Sequence, residues 1–284
     1  MKRILVIGAT GNVGSQVLSQ LIAADAQVRA MTRNPDSAGL PAQVETVRGD
    51  LTVPDALDQP LENVDAVFLV WTAPAAAVTP ALERMAKRVR RIVFLSSPHQ
   101  TAHPLFQQPN PGAALHAEIE RVIKASGFQW TFLRPGMFAS NALSWWGPAI
   151  RAGDVVRWPY AEAPTAPIHE QDLAAAAVRV LGDETHVGKD YVLTGPQSLS
   201  HAEQVGVIGD AIGRPLRYEE MSPEEARSEL LATMPPPVIS MLMNAWEAAL
   251  GQPAYVTSAV EELTGTPART FRDWADDHAA EFRR

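Results

Sequence analysis

The 284-residue sequence predicts an α/β fold: a doubly wound parallel sheet that carries a smaller, mainly helical C-terminal lobe. Three observations predict it. Up to about residue 135, short apolar runs alternate with longer amphipathic stretches, as strands and helices do when helices cover both faces of a parallel sheet. The first apolar run leads at once into a glycine turn, GATGNVG at 8–14. Beyond about residue 145 the alternation loosens and helical periodicity takes over.

The strands are expected in RILVIGA, QVRAMTR, VETVRGDL, VDAVFLVW, RRIVFLSS and QWTFLRPG. Most are rich in Val, Ile, Leu and Phe, the composition of strands buried on both faces. Between them, VGSQVLSQLIAAD and AALHAEIERVIKASG repeat apolar residues at helical spacing, and the second stops at Ser126-Gly127. Further on, PIHEQDLAAAAVRVLGD reads as a helix beginning near Glu170 to Asp172, and KDYVLTGP reads as a short strand. HAEQVGVIGDAIGRP is a helix closed by Gly213 and Pro215. From Pro223 the chain is helical, with a break expected at Pro235 to Pro237. No Gly/Ser linker divides the chain. The expected organisation is a nucleotide-binding domain over residues 1–145 and a substrate lobe over 146–284, with segments near 165–195 returning to the sheet.

Composition narrows the function. A formal charge of −8 disfavours a nucleic-acid surface, which needs clustered Lys and Arg. The basic run KRVRR at 87–91 is expected to solvate a helix end. No stretch approaches the roughly 20 apolar residues that span a bilayer, and the N-terminal apolar run is too short for a secretory signal. The absence of cysteine excludes thiol catalysis and is compatible with a cytoplasmic location. His99 and His103 are four apart but bracketed by Pro98 and Pro104, so no metal site is expected. There is no GxSxG elbow for a serine nucleophile.

A glycine pattern between a strand and a helix is the context of dinucleotide binding. In GATGNVG, which spans Gly8, Thr10, Gly11, Asn12, Val13 and Gly14, Gly8 permits the bend and Gly11 lets backbone approach a pyrophosphate. Gly14 allows close helix packing, and the helix N-terminus attracts the phosphates. This makes the sheet Rossmann-type. Arg33 ends the second strand in MTRNP with no acidic neighbour, which favours NADP(H) over NAD(H), because a guanidinium pairs with the extra phosphate. Asp50 and Leu51 end the third strand, where they suit the adenine. Trp71, Thr72 and Ala73 end the fourth, near the ribose and pyrophosphate. Asp50 can equally cap a helix and Trp71 can be core.

With GATGNVG, MTRNP, RGDL, SGFQWTFLRPGMF and PIHEQDLAAAAV, the chain resembles the NmrA-like branch of the atypical short-chain dehydrogenases/reductases, from residue 1 to about 195. The resemblance implies that Pro135, Gly136, Met137 and Phe138 lie beside the nicotinamide. It also implies that Ser96 and Ser97 stand where related enzymes orient substrate, with Ser97 favoured for catalysis and Ser96 for the cofactor. It further places the superfamily's Tyr and Lys positions on Gly112 and His116, so the Tyr-Lys mechanism is not expected. Hydride transfer needs no protein acid, because the cofactor carries the difficult chemistry. His116 is then a candidate proton donor, a candidate cofactor contact in place of lysine, or a structural histidine.

Two segments suit a hydrophobic substrate: NALSWWGPAIRAGDVVRWPY, with Trp145, Trp146 and Trp158, and PPPVISMLMNAW, with Met241, Met243 and Trp246. They can also be lobe core or a homodimer contact. The expected function is an NADPH-dependent reductase of a small conjugated or carbonyl substrate. The rival is a non-catalytic NADP(H) sensor acting through a protein partner.

Overall fold

The structure, a computed structural model, describes residues 2–283. Its strands in chain order are β1 (Arg3–Ile7), β2 (Gln27–Thr32), β3 (Glu45–Arg48), β4 (Ala66–Val70), β5 (Arg91–Leu95), β6 (Gln129–Pro135), β7 (Val155–Trp158), β8 (Pro164–Thr165), β9 (Lys189–Leu193), β10 (Leu199–Ser200) and β11 (Arg217–Glu220). Its α-helices are α1 (Asn12–Ala23), α2 (Val78–Ala86), α3 (Pro111–Ala125), α4 (Asn141–Trp145), α5 (Gly147–Ala152), α6 (Glu170–Gly182), α7 (His201–Ile212), α8 (Pro223–Leu230), α9 (Pro236–Ala249), α10 (Ala259–Thr264), α11 (Phe271–Asp277) and α12 (Ala279–Phe282).

Seven strands form a parallel sheet in the order β3-β2-β1-β4-β5-β6-β9. Because side chains alternate along a strand, each central strand feeds two cores. Ile4, Val6, Phe68, Val93 and Leu133 pack under α1 and α6. Leu5, Ile7, Val67, Leu69, Ile92 and Phe94 pack on the other face, under α2 and α3. The alanines of α6 let it lie close on α1. Order reverses at β1, where the crossover to β4 leaves a crevice at the carboxyl ends of the strands, the place where such sheets bind ligands.

A third core holds the second layer together: Trp146, Trp158, Val205, Met243, Trp246, Phe271 and Trp274 from β7, α4–α5, α7, α9 and α11. Within it β7 pairs in parallel with β11, and β8 antiparallel with β10. These four strands have two to four residues and no sustained apolar pattern, so the sequence does not announce them. The expected break at 235–237 is displaced. Pro236 and Pro237 open α9, where proline's missing N–H costs nothing, and the interruption is the turn before them.

Arg91 corrects the reading of KRVRR as a solvated run. Lys87, Arg88 and Arg90 are exposed after α2, but Arg91 is 5% exposed on β5. Its guanidinium donates to the carbonyls of Ile92, Gln129 and Val180 and to the Thr131 hydroxyl. Among the described residues no helix is long and apolar enough to cross a membrane.

Candidate active site and cofactor cleft

Gly8 follows β1 with φ +88°, in the left-handed region that favours glycine. A Cβ there would stand 2.7 Å from Val70 Cβ on β4. At Gly14 a Cβ would stand 2.0 Å from the Gly8 carbonyl oxygen, so α1 rests directly on the turn. Gly11 is the N-cap of α1 and supplies no capping side chain, which leaves first-turn amides such as those of Val13 and Gly14 for another acceptor. A Cβ at Gly11 would approach only the Gly8 oxygen, at 3.5 Å. Thr10, Gly11 and Asn12 are exposed and Val13 is buried. The Asn12 amide nitrogen donates to Ser140 Oγ at 3.4 Å, linking the turn to the segment after β6. This bare, positively polarised helix end fits the pyrophosphate of a dinucleotide.

The strand ends fan out beside it. Arg33 is exposed just past β2. Asp50 Oδ1 accepts from both the amide and the hydroxyl of Thr52, each at 2.8 Å. Those bonds, with a smaller contribution from Arg33, hold its carboxyl below the ordinary range. Leu51 and Trp71 are buried in the core beneath, and Trp71 Nε1 donates to the Ala73 carbonyl at 2.6 Å. Thr72 is exposed and Ala73 half-buried.

Beyond the ends of β4, β5 and β6 lies a cavity of about 550 Å³. Its walls include Trp71, Ser96, Ser97, His99, Asn110, His116 and Pro135 to Phe138 from the sheet layer, with Trp145, Met234, Met241, Leu242 and Trp246 from the second layer. The segment after β6 is pinned in place: Gly136 donates its amide to the Leu193 carbonyl at 2.9 Å, and Ile168 donates to Met137 at 2.9 Å. Trp145, Trp246 and Met241 thus face the cavity, while Trp146, Trp158 and Met243 do not line it and belong to the lobe core.

Asn110 caps α3 by accepting the Ala113 amide at 3.0 Å, and Pro111 follows at the first helical position. This start puts Gly112 at the exposed first turn and His116 one turn later, beside the cavity. The His116 ring meets the edge of Phe94 with centroids 5.5 Å apart. Burial, reinforced by His99 and opposed by Glu120, pushes its pKa below the ordinary histidine value. Its Nδ1 and the Ser97 hydroxyl are buried and have no hydrogen-bond partner among the described residues.

Behind these two groups runs a fully engaged network. Arg134 on β6 forms a two-pronged pair with Glu120 on α3, at 2.9 and 2.6 Å, and donates to Asp190 on β9 at 2.7 Å. The Ser96 hydroxyl donates to Glu120 at 2.7 Å, and His99 Nε2 lies 3.7 Å from it. His99 Nδ1 is also 3.0 Å from the Ser97 carbonyl. His103 turns away toward the Pro253 carbonyl. Sequence reasoning did not assign Glu120 or His99. The available signal was a carboxylate on the apolar face of α3, next to Ile119 and one turn before Ile123.

A family model described as NAD(P)H-binding matches residues 8–184. A (4-alkanoyl-5-oxo-2,5-dihydrofuran-3-yl)methyl phosphate reductase of Streptomyces griseus is 40% identical over 98% of this chain and 99% of its own. An NAD(P)H azoreductase of Xenophilus azovorans is 35% identical over the same shares of the two chains. The solved NADPH-dependent quinone oxidoreductase of Escherichia coli superposes with a TM-score of 0.81 at 25% identity, covering 96% of this chain and 98% of that one. The glycine turn, the sheet order and these matches agree: the chain belongs to the NAD(P)H-binding family, on a Rossmann-type fold.

Proposed function

We infer that the protein is an NADPH-dependent reductase of a small, neutral, conjugated acceptor such as a quinone or an activated carbonyl. The observation that carries this reading is the pair of unpartnered groups, Ser97 Oγ and His116 Nδ1, buried at the edge of a largely apolar cavity beside the glycine turn. Buried polar atoms are normally satisfied, so an unsatisfied pair beside a cavity suits a ligand oxygen. The reductase activities in the names of the Streptomyces, Xenophilus and Escherichia relatives support the same class.

A bound nicotinamide supplies a hydride, and reduction to a hydroquinone or alcohol is completed by one proton. The protein's part is to orient the acceptor and keep the cleft dry. His116, held below its ordinary pKa, is neutral near pH 7. In that form its ring N–H orients the acceptor oxygen, the reduced oxygen takes its proton from bulk water as product leaves the cleft, and no phenol is required. Arg33, exposed just past β2, is the group expected to pair with the extra phosphate and so to favour NADPH.

Among the described residues no arginine or lysine lines the cavity. A phosphate dianion would be desolvated there without a cation, which is costly. A neutral acceptor is therefore favoured over a phosphate-bearing one like that in the Streptomyces relative's name. The test follows cofactor oxidation with a simple naphthoquinone. NADPH is expected to bind at least about tenfold more tightly than NADH, the size of one charge-assisted hydrogen bond. His116→Ala is expected to lower kcat about tenfold, with NADPH affinity unchanged. Tight NADPH binding without turnover of any quinone or carbonyl would instead assign the protein to redox sensing.

A further inference from the structure

A second hollow of about 370 Å³ opens sideways from the cavity, over the first turn of α3. The two spaces share Ser97, Asn110, Ala113, His116, Val238 and Met241, so they are continuous. Every polar side chain of the hollow lies on that shared boundary. Its outer walls, which the cavity does not share, are Pro111 and Gly112 on one side and Pro237 of α9 on the other, with Val238 and Met241 at the junction. Val238 is 38% exposed, one of few large apolar side chains left in solvent. Gly112 keeps the hollow open: a Cβ there would meet only Asn110 Oδ1, at 3.2 Å, with nothing else within 4 Å.

We propose that this hollow is a substrate subsite that receives an apolar substituent, an alkyl chain or second ring, on the acceptor whose polar head faces Ser97 and His116, and that Gly112 sets its depth. The inference rests on the reductase reading for the identity of the head group. The shape and polarity of the hollow carry it for the tail. A substituent entering there exchanges water for contact with two prolines, a valine and a methionine, a gain that grows with each methylene buried. Methionine at the junction adapts to tails of different shape. Substrates are thus two-part molecules, with a compact conjugated head and an apolar appendage pointing toward α9.

The probes are 2-methyl- and 2-hexyl-1,4-naphthoquinone, titrated calorimetrically into protein saturated with NADP⁺, where no hydride is available and binding is read apart from turnover. The hexyl compound is expected to bind at least about tenfold more tightly. Gly112→Phe, which fills the hollow from α3, and Pro237→Trp, which fills it from α9 at a position outside the main cavity, are each expected to erase that advantage while leaving the methyl compound within about twofold. Equal affinity for the two compounds in the unaltered protein overturns the subsite, as does an advantage that survives both substitutions. Tail-dependent binding without NADPH oxidation would overturn the reductase reading alone.

Discussion

At Glu120 a helix face that should be apolar carries a carboxylate 2% exposed, and the reason lies in residues that are distant in sequence. Arg134 spans both of its oxygens, Ser96 donates to it, and His99 stands alongside. Removing one partner of a buried ion pair leaves the other charge uncompensated, which typically costs about 3–5 kcal/mol. Asp190 would still neutralise part of Arg134. Glu120→Gln is therefore expected to destabilise the protein by about 3 kcal/mol, the low end of that range. Urea unfolding should show a lower midpoint with an unchanged slope; an unchanged midpoint would remove the pair from the stability of the site. Arg91 teaches a related lesson about legibility. Its place in a basic run suggested solvent, yet its acceptors lie on β6 and α6 and could not be foreseen from neighbouring residues. The free Ser97 and His116 groups were nominated from register, whereas their freedom from partners is visible only in three dimensions.

The turn between β1 and α1 shows what one element demands of its glycines. A methyl group at Gly14 collides with the Gly8 carbonyl, so Gly14→Ala must push α1 off the turn and its packing against α6. Gly11→Ala has room in the protein but places a methyl group at the bare helix end. The expected results separate the two. Gly11→Ala keeps the thermal midpoint within a degree or two and weakens NADPH binding about tenfold, roughly one hydrogen bond's worth of free energy. Gly14→Ala loses both, with overpacking of about 1–3 kcal/mol. Equal effects on stability would show that the turn tolerates rearrangement. All seven strands of the main sheet and the helices α1, α3, α6 and α7 were legible in the sequence: the five inner strands, buried on both faces, read as apolar runs, the edge strands β3 and β9 show as short runs around Val47 and Val192, and the helices keep their periodicity. The strands β7, β8, β10 and β11 were not, since two to four residues with partners elsewhere leave no pattern.

Across the whole molecule, the sheet layer and the second layer are joined by a polar clasp. Glu170, at the start of α6, accepts from Trp274 Nε1 at 3.1 Å and lies 2.7 Å from His278 Nε2. That carboxylate, together with Glu281 and against the cost of burial, raises His278 to about 9. A histidine raised in the folded state stabilises fully below its unfolded value of 6.5, and the contribution disappears as pH rises through 9. His201 behaves oppositely. Burial among Trp146 and Trp246 lowers it to about 4, so its contribution is present above 6.5 and lost as pH falls through 4. The thermal midpoint should therefore fall on both sides of neutrality. The alkaline loss should amount to about 2 kcal/mol after allowance for solvent screening. His278→Gln should flatten the alkaline limb; an alkaline limb of undiminished size in that variant would place its origin elsewhere.

The clasp also gives the chain a timetable. Glu170 meets His278 across 108 residues of sequence, and Asp172, buried two positions further on, takes its partner from Arg269. At about 5–20 residues per second, α6 is synthesised some 5–20 seconds before those partners exist. Until then its N-terminus carries two acidic groups that cannot be buried without their later partners. The nucleotide-binding layer can gather around β1 to β6 early, but α6 cannot seat fully against α1 before the segment around α11 has been made. A nascent chain halted between α9 and α11 should accordingly remain open to protease at α6, although every strand of the sheet is already present.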